Sequence, residues 1–146
     1  MNVIDYYGTP PPLNLFTEGH RKMDQEKYPH SKVTEKIIGL AFELFKELGA
    51  GYSEKVYQKG LEEKFKKHKL NYRKELNCSL LVEGKKIGGF RVDFLVEDVV
   101  VELKARGAVI SKDISQVLTY LKVHNIKVGL LLIFTKNGVK IKRLIL

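Results

Sequence analysis

Four side chains in this sequence could do chemistry together: Asp93, Glu102, Lys104 and Glu54. Glu102 and Lys104 interrupt an otherwise apolar run, 99–105, and Asp93 lies just before it on the far side of Glu97-Asp98. A symmetric reversal at Glu97-Asp98 sets Val96 opposite Val99 and Asp93 opposite Glu102. Directly opposed residues share a face, with Cβ atoms about 4.5–5.5 Å apart. The same register sets Arg91 opposite Lys104, and Lys104 shares Glu102's face because strand side chains repeat every two residues. One face is thus expected to carry Asp93, Glu102, Arg91 and Lys104, and the other Val92, Phe94, Val101 and Leu103. Two facing carboxylates repel and favour a cation between them. Oxygen-only ligands suit Mg2+ or Mn2+, which keep waters available for reaction. A lysine beside such a site can orient an attacking water or stabilise charge on a phosphate. The bland alternative is a solvated hairpin whose acids Lys104 and Arg91 neutralise. Against it, these strands are apolar enough to be buried, where unpaired carboxylates are expensive.

Glu54 belongs to a helix whose apolar residues Tyr57, Leu61 and Phe65 recur at helical spacing. Glu54 falls within about 20° of Leu61 and Phe65 on that helix, so it points inward, where an acid needs a positive partner. A first-turn glutamate favoured by the helix dipole explains the same position equally well. On a later helix, Asp113, Gln116 and Tyr120 align beside an apolar stripe of Ile114, Val117, Leu118 and Leu121. That face either looks into a cleft, against phosphate or sugar, or is merely solvated.

The elements that must hold these residues are legible in outline. Ser31 caps a helix to about Leu48 with Ile37, Ile38, Ala41, Phe42, Phe45 and Leu48 on one stripe, and Gly49 stops it. Ser53 caps a second helix ending near Lys69. Strands follow over 76–82 and 86–96, joined at Glu83-Gly84, with a bulge suggested by Gly88-Gly89. After the strand 99–105, Ser111 caps a third helix. A buried strand, 127–134, then turns at Asn137-Gly138 into a closing strand, 139–145. The order α-α-β-β-β-α-β-β predicts an α/β or α+β domain with a mixed sheet.

At 146 residues the chain suits one domain, 31–146, with an N-terminal extension, 1–30. That extension lacks periodicity, contains Pro10-Pro11-Pro12 and carries Tyr6, Tyr7, Leu13, Leu15 and Phe16. It is expected to be disordered, or to dock on this domain or on a partner, including a second copy. One cysteine, Cys78, excludes an internal disulfide framework and a cysteine-only zinc site. No apolar run reaches membrane-spanning length, and the first residues do not resemble a secretory signal, so a cytoplasmic protein is expected. The net charge of +9 is unevenly placed: 1–30 carries −1 and the rest +10. So basic a body favours a polyanionic partner, without requiring one.

These residues resemble a known family. Gly51-Tyr52-Ser53-Glu54-Lys55-Val56-Tyr57 reads as G-x-x-E-x-x-Y, the signature of the GxxExxY proteins, which resemble RecB-like members of the PD-(D/E)XK nuclease superfamily. Asp93, the triplet Glu102-Leu103-Lys104 and the Q-x-x-x-Y of Gln116 and Tyr120 come after it in order, and the resemblance extends from about Thr34 to the C-terminus. It implies a four-stranded mixed sheet flanked by helices, αβββαβ, here with an extra N-terminal helix and a C-terminal hairpin strand. It further implies that Asp93 and Glu102 hold Mg2+ or Mn2+, with Glu54 and the Leu103 carbonyl as further ligands. Lys104 would position the hydrolytic water. Gln116 and Tyr120, with Arg91 and Tyr57, would support the site or the nucleic acid. Phe45 and Asp113 stand where many relatives carry His, and Ala50 where Pro is usual. The expected function is metal-dependent hydrolysis of phosphodiesters, in DNA first. The alternatives are a non-catalytic nucleic-acid-binding or assembly module on the same fold, and a partner-binding protein acting through 1–30.

Overall fold

The computed structural model describes residues 2–6 and 31–146. The expectation that 1–30 is disordered, or docks on this domain or on a partner, falls outside them except at residues 2–6, which pair in the sheet. The described elements are β1 (Asn2–Tyr6), α1 (Ser31–Leu48), α2 (Glu54–Lys67), β2 (Tyr72–Val82), β3 (Lys85–Val96), β4 (Val99–Lys104), α3 (Ser111–His124), β5 (Val128–Thr135) and β6 (Gly138–Ile145). The predicted order from the first long helix onward is the observed one, a mixed α+β arrangement. One sheet runs β1-β6-β5-β4-β3-β2. Among the described strands, β4 and β5 pair in parallel, connected through α3, and the other neighbours are antiparallel. The sheet gains one edge strand beyond the expected set, because β1 pairs along β6 from Asn2↔Ile145 to Tyr6↔Ile141.

Burial on both faces explains the continuous apolar reading of β5, in which residues 128–134 are all buried. One core lies between the sheet and α1 with α2, centred on Ile37, Leu61, Phe65, Phe94, Val101, Leu103, Leu130 and Leu132. The other lies under α3, with Val92, Val100, Val117, Tyr120, Leu121, Leu131 and Ile133. Gly129 lets α3 approach β5, since a Cβ there would meet Val117 Cγ1 at 2.6 Å. The buried Lys64 of α2 pairs with Glu43 and Glu47 of α1, tying the two helices together. No helix of the described residues is long and apolar enough to cross a membrane.

Several local expectations shift. Helix α2 ends at Lys67, with His68 as its cap. The bulge opposite Leu80 and Leu81 is made by Ile87, next to the glycines rather than at them. The last hairpin turns through Lys136 and Asn137 while Gly138 pairs with Thr135, whose hydroxyl donates to the Gly138 carbonyl at 2.9 Å. Ser111 is the first helical residue of α3; Ile110 occupies the cap position, and its N–H donates to Asp113 Oδ2 at 3.2 Å.

Candidate metal centre

The hairpin register at Glu97-Asp98 is the symmetric one, with Val96↔Val99, Leu95↔Val100 and Phe94↔Val101. A positive φ of 54° at Glu97 makes this turn without glycine. Pairing between β3 and β4 stops there, one step before the acids. Beyond it the acids replace the ladder. Asp93 N–H donates to Glu102 Oε2 at 3.2 Å, and Leu103 N–H donates to Asp93 Oδ2 at 2.7 Å. Backbone donors freed where the strands part are thus satisfied by carboxylates.

The parting has a second cause. In β3, Phe94 and Val96 pack toward α1 and α2 and Leu95 toward α3, yet Val92 also packs toward α3. Strict alternation would put Val92 with Phe94. In β2, Tyr72 faces α1 and α2, whereas Leu76 and Cys78 face α3. Both strands therefore switch face between Lys74↔Phe94 and Leu76↔Val92 without losing register. Glu75, opposite Asp93, takes φ +54° at that point. Val92 consequently does not share a face with Phe94, Val101 and Leu103. Nor does Arg91 lie opposite Lys104; it pairs with Asn77 and is exposed.

Glu54 reaches these acids from the first turn of α2. Gly49, at φ +78°, ends α1, and Ser53 Oγ accepts the Val56 N–H at 3.3 Å to start α2. Tyr57 donates its hydroxyl to the Gly49 carbonyl at 2.7 Å and stacks on Phe134, with ring centroids 4.2 Å apart. At 1% exposure Tyr57 cannot touch a substrate, so the expected support role becomes that of fixing the loop before Glu54. Carboxylate oxygens of Glu54, Asp93 and Glu102 lie within 4.8 Å of one another. Gln58, one turn beyond Glu54, donates to Asp93 Oδ1 at 2.7 Å. Sequence reasoning misses Gln58, although its i+4 relation to Glu54 places both on one helix face.

Burial is the main electrostatic fact here. Glu102, 6% exposed, has its carboxyl pushed up to about 9, first by burial and then by the Asp93 charge. Asp93 is also raised by burial, against the Leu103 N–H, Gln58 and Lys104, which favour its charged form. Burial raises Glu54 too, opposed by Lys104. Lys104 Nζ lies 3.7 Å from Glu102 Oε1 and 3.7 Å from Asp113 Oδ1. One ammonium does not offset three clustered acids, whereas an all-oxygen donor set of this kind fits a hard divalent cation.

Asp113, 3% exposed, also forms an ion pair with Arg106, Nη1 to Oδ2 3.2 Å, so it holds two cations beside the acids. Arg106 has no distinguishing signal in the sequence. Gln116 is half-buried one turn along α3 from Asp113. Tyr120 is buried in the α3 core with its ring 4.2 Å from His124, and is not an accessible contact. On the α2 side, a groove of about 220 Å³ runs along Asp93, lined by Lys55, Gln58, Lys59, Lys74 and Arg91 among others.

A family model described as the PD-(D/E)XK nuclease superfamily matches residues 31–144. No curated protein matches the chain. The solved structure described as "Crystal structure of SSO0001" is similar over 86% of this chain and 60% of its own length, with a TM-score of 0.52 and 18% identity. The chain thus spans less than two thirds of that protein, and the likeness is one of fold. With a superfamily match across nearly all of 31–146, and an acid-acid-lysine set at the parting of β3 and β4, the chain belongs to the PD-(D/E)XK nuclease superfamily.

Proposed function

We propose that this protein is a metal-dependent nuclease that hydrolyses phosphodiester bonds in DNA, and that within its superfamily it falls with the RecB-like GxxExxY proteins. The observation that carries the reading is the meeting of Glu54, Asp93 and Glu102 within 4.8 Å, with the Lys104 ammonium beside them. Asp93 and Glu102 would hold Mg2+ or Mn2+, with Glu54 as a direct or water-mediated ligand and the Leu103 carbonyl as a candidate fourth. A divalent cation bound there supplies Lewis acidity toward a phosphoryl oxygen.

The chain's own residues do the rest. Gln58 and the Leu103 N–H hold the two Asp93 oxygens, which fixes the carboxylate before any ligand arrives. Lys104, steadied by Asp113, can orient a water or neutralise charge building on the phosphate. Low solvent access around Glu102 strengthens each of these interactions. Arg106, Lys55, Lys59 and Arg91 offer cations for flanking phosphates, in keeping with the basic charge of 31–146.

The test is cleavage of linear and circular DNA by purified protein with Mg2+ or Mn2+. Cleavage should vanish in EDTA and in both Asp93→Ala and Lys104→Ala. Undiminished cleavage in both variants would assign the activity to a contaminant.

A further inference from the structure

Strands β2 and β3 run on past the acids as a two-stranded arm. Because β3 leaves β4 at Phe94, residues 76–91 rest on the body through Leu76, Cys78 and Phe90 against α3, with Val92 in the same core at the arm's root. The far end projects as a tight hairpin at Glu83-Gly84, where both residues have positive φ. Its large apolar side chains are in water: Leu80 at 37% exposure, Leu81 at 61%, Val82 at 53% and Ile87 at 68%.

Alternation puts Leu80 and Val82 on one side of the arm and Leu81 on the other. A hairpin docking on one flat partner needs one apolar face, not two. An end with exposed apolar side chains on both faces, each beside a lysine (Leu81 opposite Lys86, Val82 opposite Lys85), fits insertion between two surfaces. The cations beside it indicate which kind of surface: between 76 and 91 the arm carries Lys85, Lys86 and Arg91 against Glu83, a net +2. Two copies of such an arm repel, as do two copies of a chain of net charge +9. Phosphates and stacked bases match both features, since lysines meet the backbone while apolar side chains wedge between base steps.

We propose that the β2–β3 arm is a wedge that enters duplex DNA and unstacks it at a fixed distance from the metal centre. This rests on the nuclease reading, because the same strand carries Asp93. Ile87 and Asp93 are six residues apart on β3. At roughly 3.3 Å per residue that is about 20 Å of strand, or about six nucleotide steps at 3.4 Å each. Duplex opened at the tip would feed a separated strand along β3 toward the acids.

The experiment needs neither metal nor cleavage. Full-length protein in EDTA is titrated into DNA duplexes carrying 2-aminopurine, whose fluorescence rises on unstacking, at successive positions. The wild type should raise the fluorescence several-fold at one or two adjacent positions. The L81T/I87T variant, with β-branched polar residues at exposed sites, should keep the wild-type Tm and low-salt DNA binding but lose the rise. Duplex bound with no rise at any position overturns the wedge, as does a rise that survives L81T/I87T. So does a wild-type dimer that L81T/I87T turns into monomer, or tip-dependent binding to phosphatidylserine vesicles with the duplex left stacked. In each of these cases, cleavage that still depends on Asp93 keeps the nuclease reading and discards the wedge alone. Should the rise appear in a protein that never cleaves DNA, the wedge stands and the nuclease reading falls.

Discussion

Replacing Glu102 by Gln should make the metal-free protein more stable at alkaline pH and remove the share of its pH dependence that Glu102 carries. The folded protein holds a proton on Glu102, whose carboxyl is raised to about 9, while an ordinary glutamate loses its proton near 4.5. Between those values the folded state binds a proton that the unfolded chain does not. Stability is therefore greatest below the lower value and is lost as pH rises through the upper one, by at most about 1.4 kcal/mol per pH unit. From about pH 6 to about pH 8 the wild type should lose about 2–3 kcal/mol in EDTA, a change that belongs to the coupled pair with Asp93. Gln keeps the geometry: its carbonyl oxygen can accept the Asp93 N–H, as Glu102 Oε2 does at 3.2 Å, and its amide can donate to Asp93 as a protonated glutamate would. Urea denaturation at several pH values reads the difference. Mn2+ at about a hundred times its Kd should add about 2.7 kcal/mol to the wild type, and far less to Glu102→Gln. Parallel stability curves for the two proteins across this pH range would refute the assignment of a proton held by burial at Glu102.

Gln58→Leu should weaken Mn2+ binding by about 10–100-fold, as loss of an outer partner commonly does, with little change in Tm; unchanged affinity by calorimetry would deny Gln58 its positioning role. Asp113→Asn can still accept the Ile110 N–H but removes the counter-charge paired with Arg106 and one of the two acids paired with Lys104, the other being Glu102. It should cost about 1–3 kcal/mol in thermal unfolding, the exposure of Arg106 keeping it below the full loss of a buried pair, and should lower kcat more than metal affinity. Tyr57→Phe keeps the stack on Phe134 and loses only the bond to Gly49, about 1 kcal/mol; DNA binding at saturating metal should be unchanged, and a large loss would mean that Tyr57 touches substrate.

Much of this fold could be read along the chain because its signals are local. The stripes of α1 and α2, the serine cap at Ser53 and the apolar run of β5 each arise from neighbours in sequence. The register of the acid-bearing hairpin was legible for the same reason, since a two-residue reversal dictates which residues of β3 and β4 stand opposite each other. The features that could not be read depend on tertiary context. A left-handed Glu75 has no glycine to announce it, yet with Asp93 it turns Val92 toward α3 and frees Arg91 from Lys104. Asp113 aligned with Gln116 and Tyr120 on paper, but only folding shows that it holds Lys104 and Arg106 while Tyr120 is buried. Strand β1 lies in a stretch without alternation and is defined by its pairing with β6.

If Glu54, Asp93 and Glu102 form one divalent-cation site, a crystal structure of the protein grown with Mn2+ will show the ion there. An anomalous peak about 2.1 Å from oxygens of Asp93 and Glu102, with Glu54 in direct or water-mediated contact, is the predicted result. A map at saturating Mn2+ with no peak between Asp93 and Glu102, or with the ion held only by other residues, would contradict it.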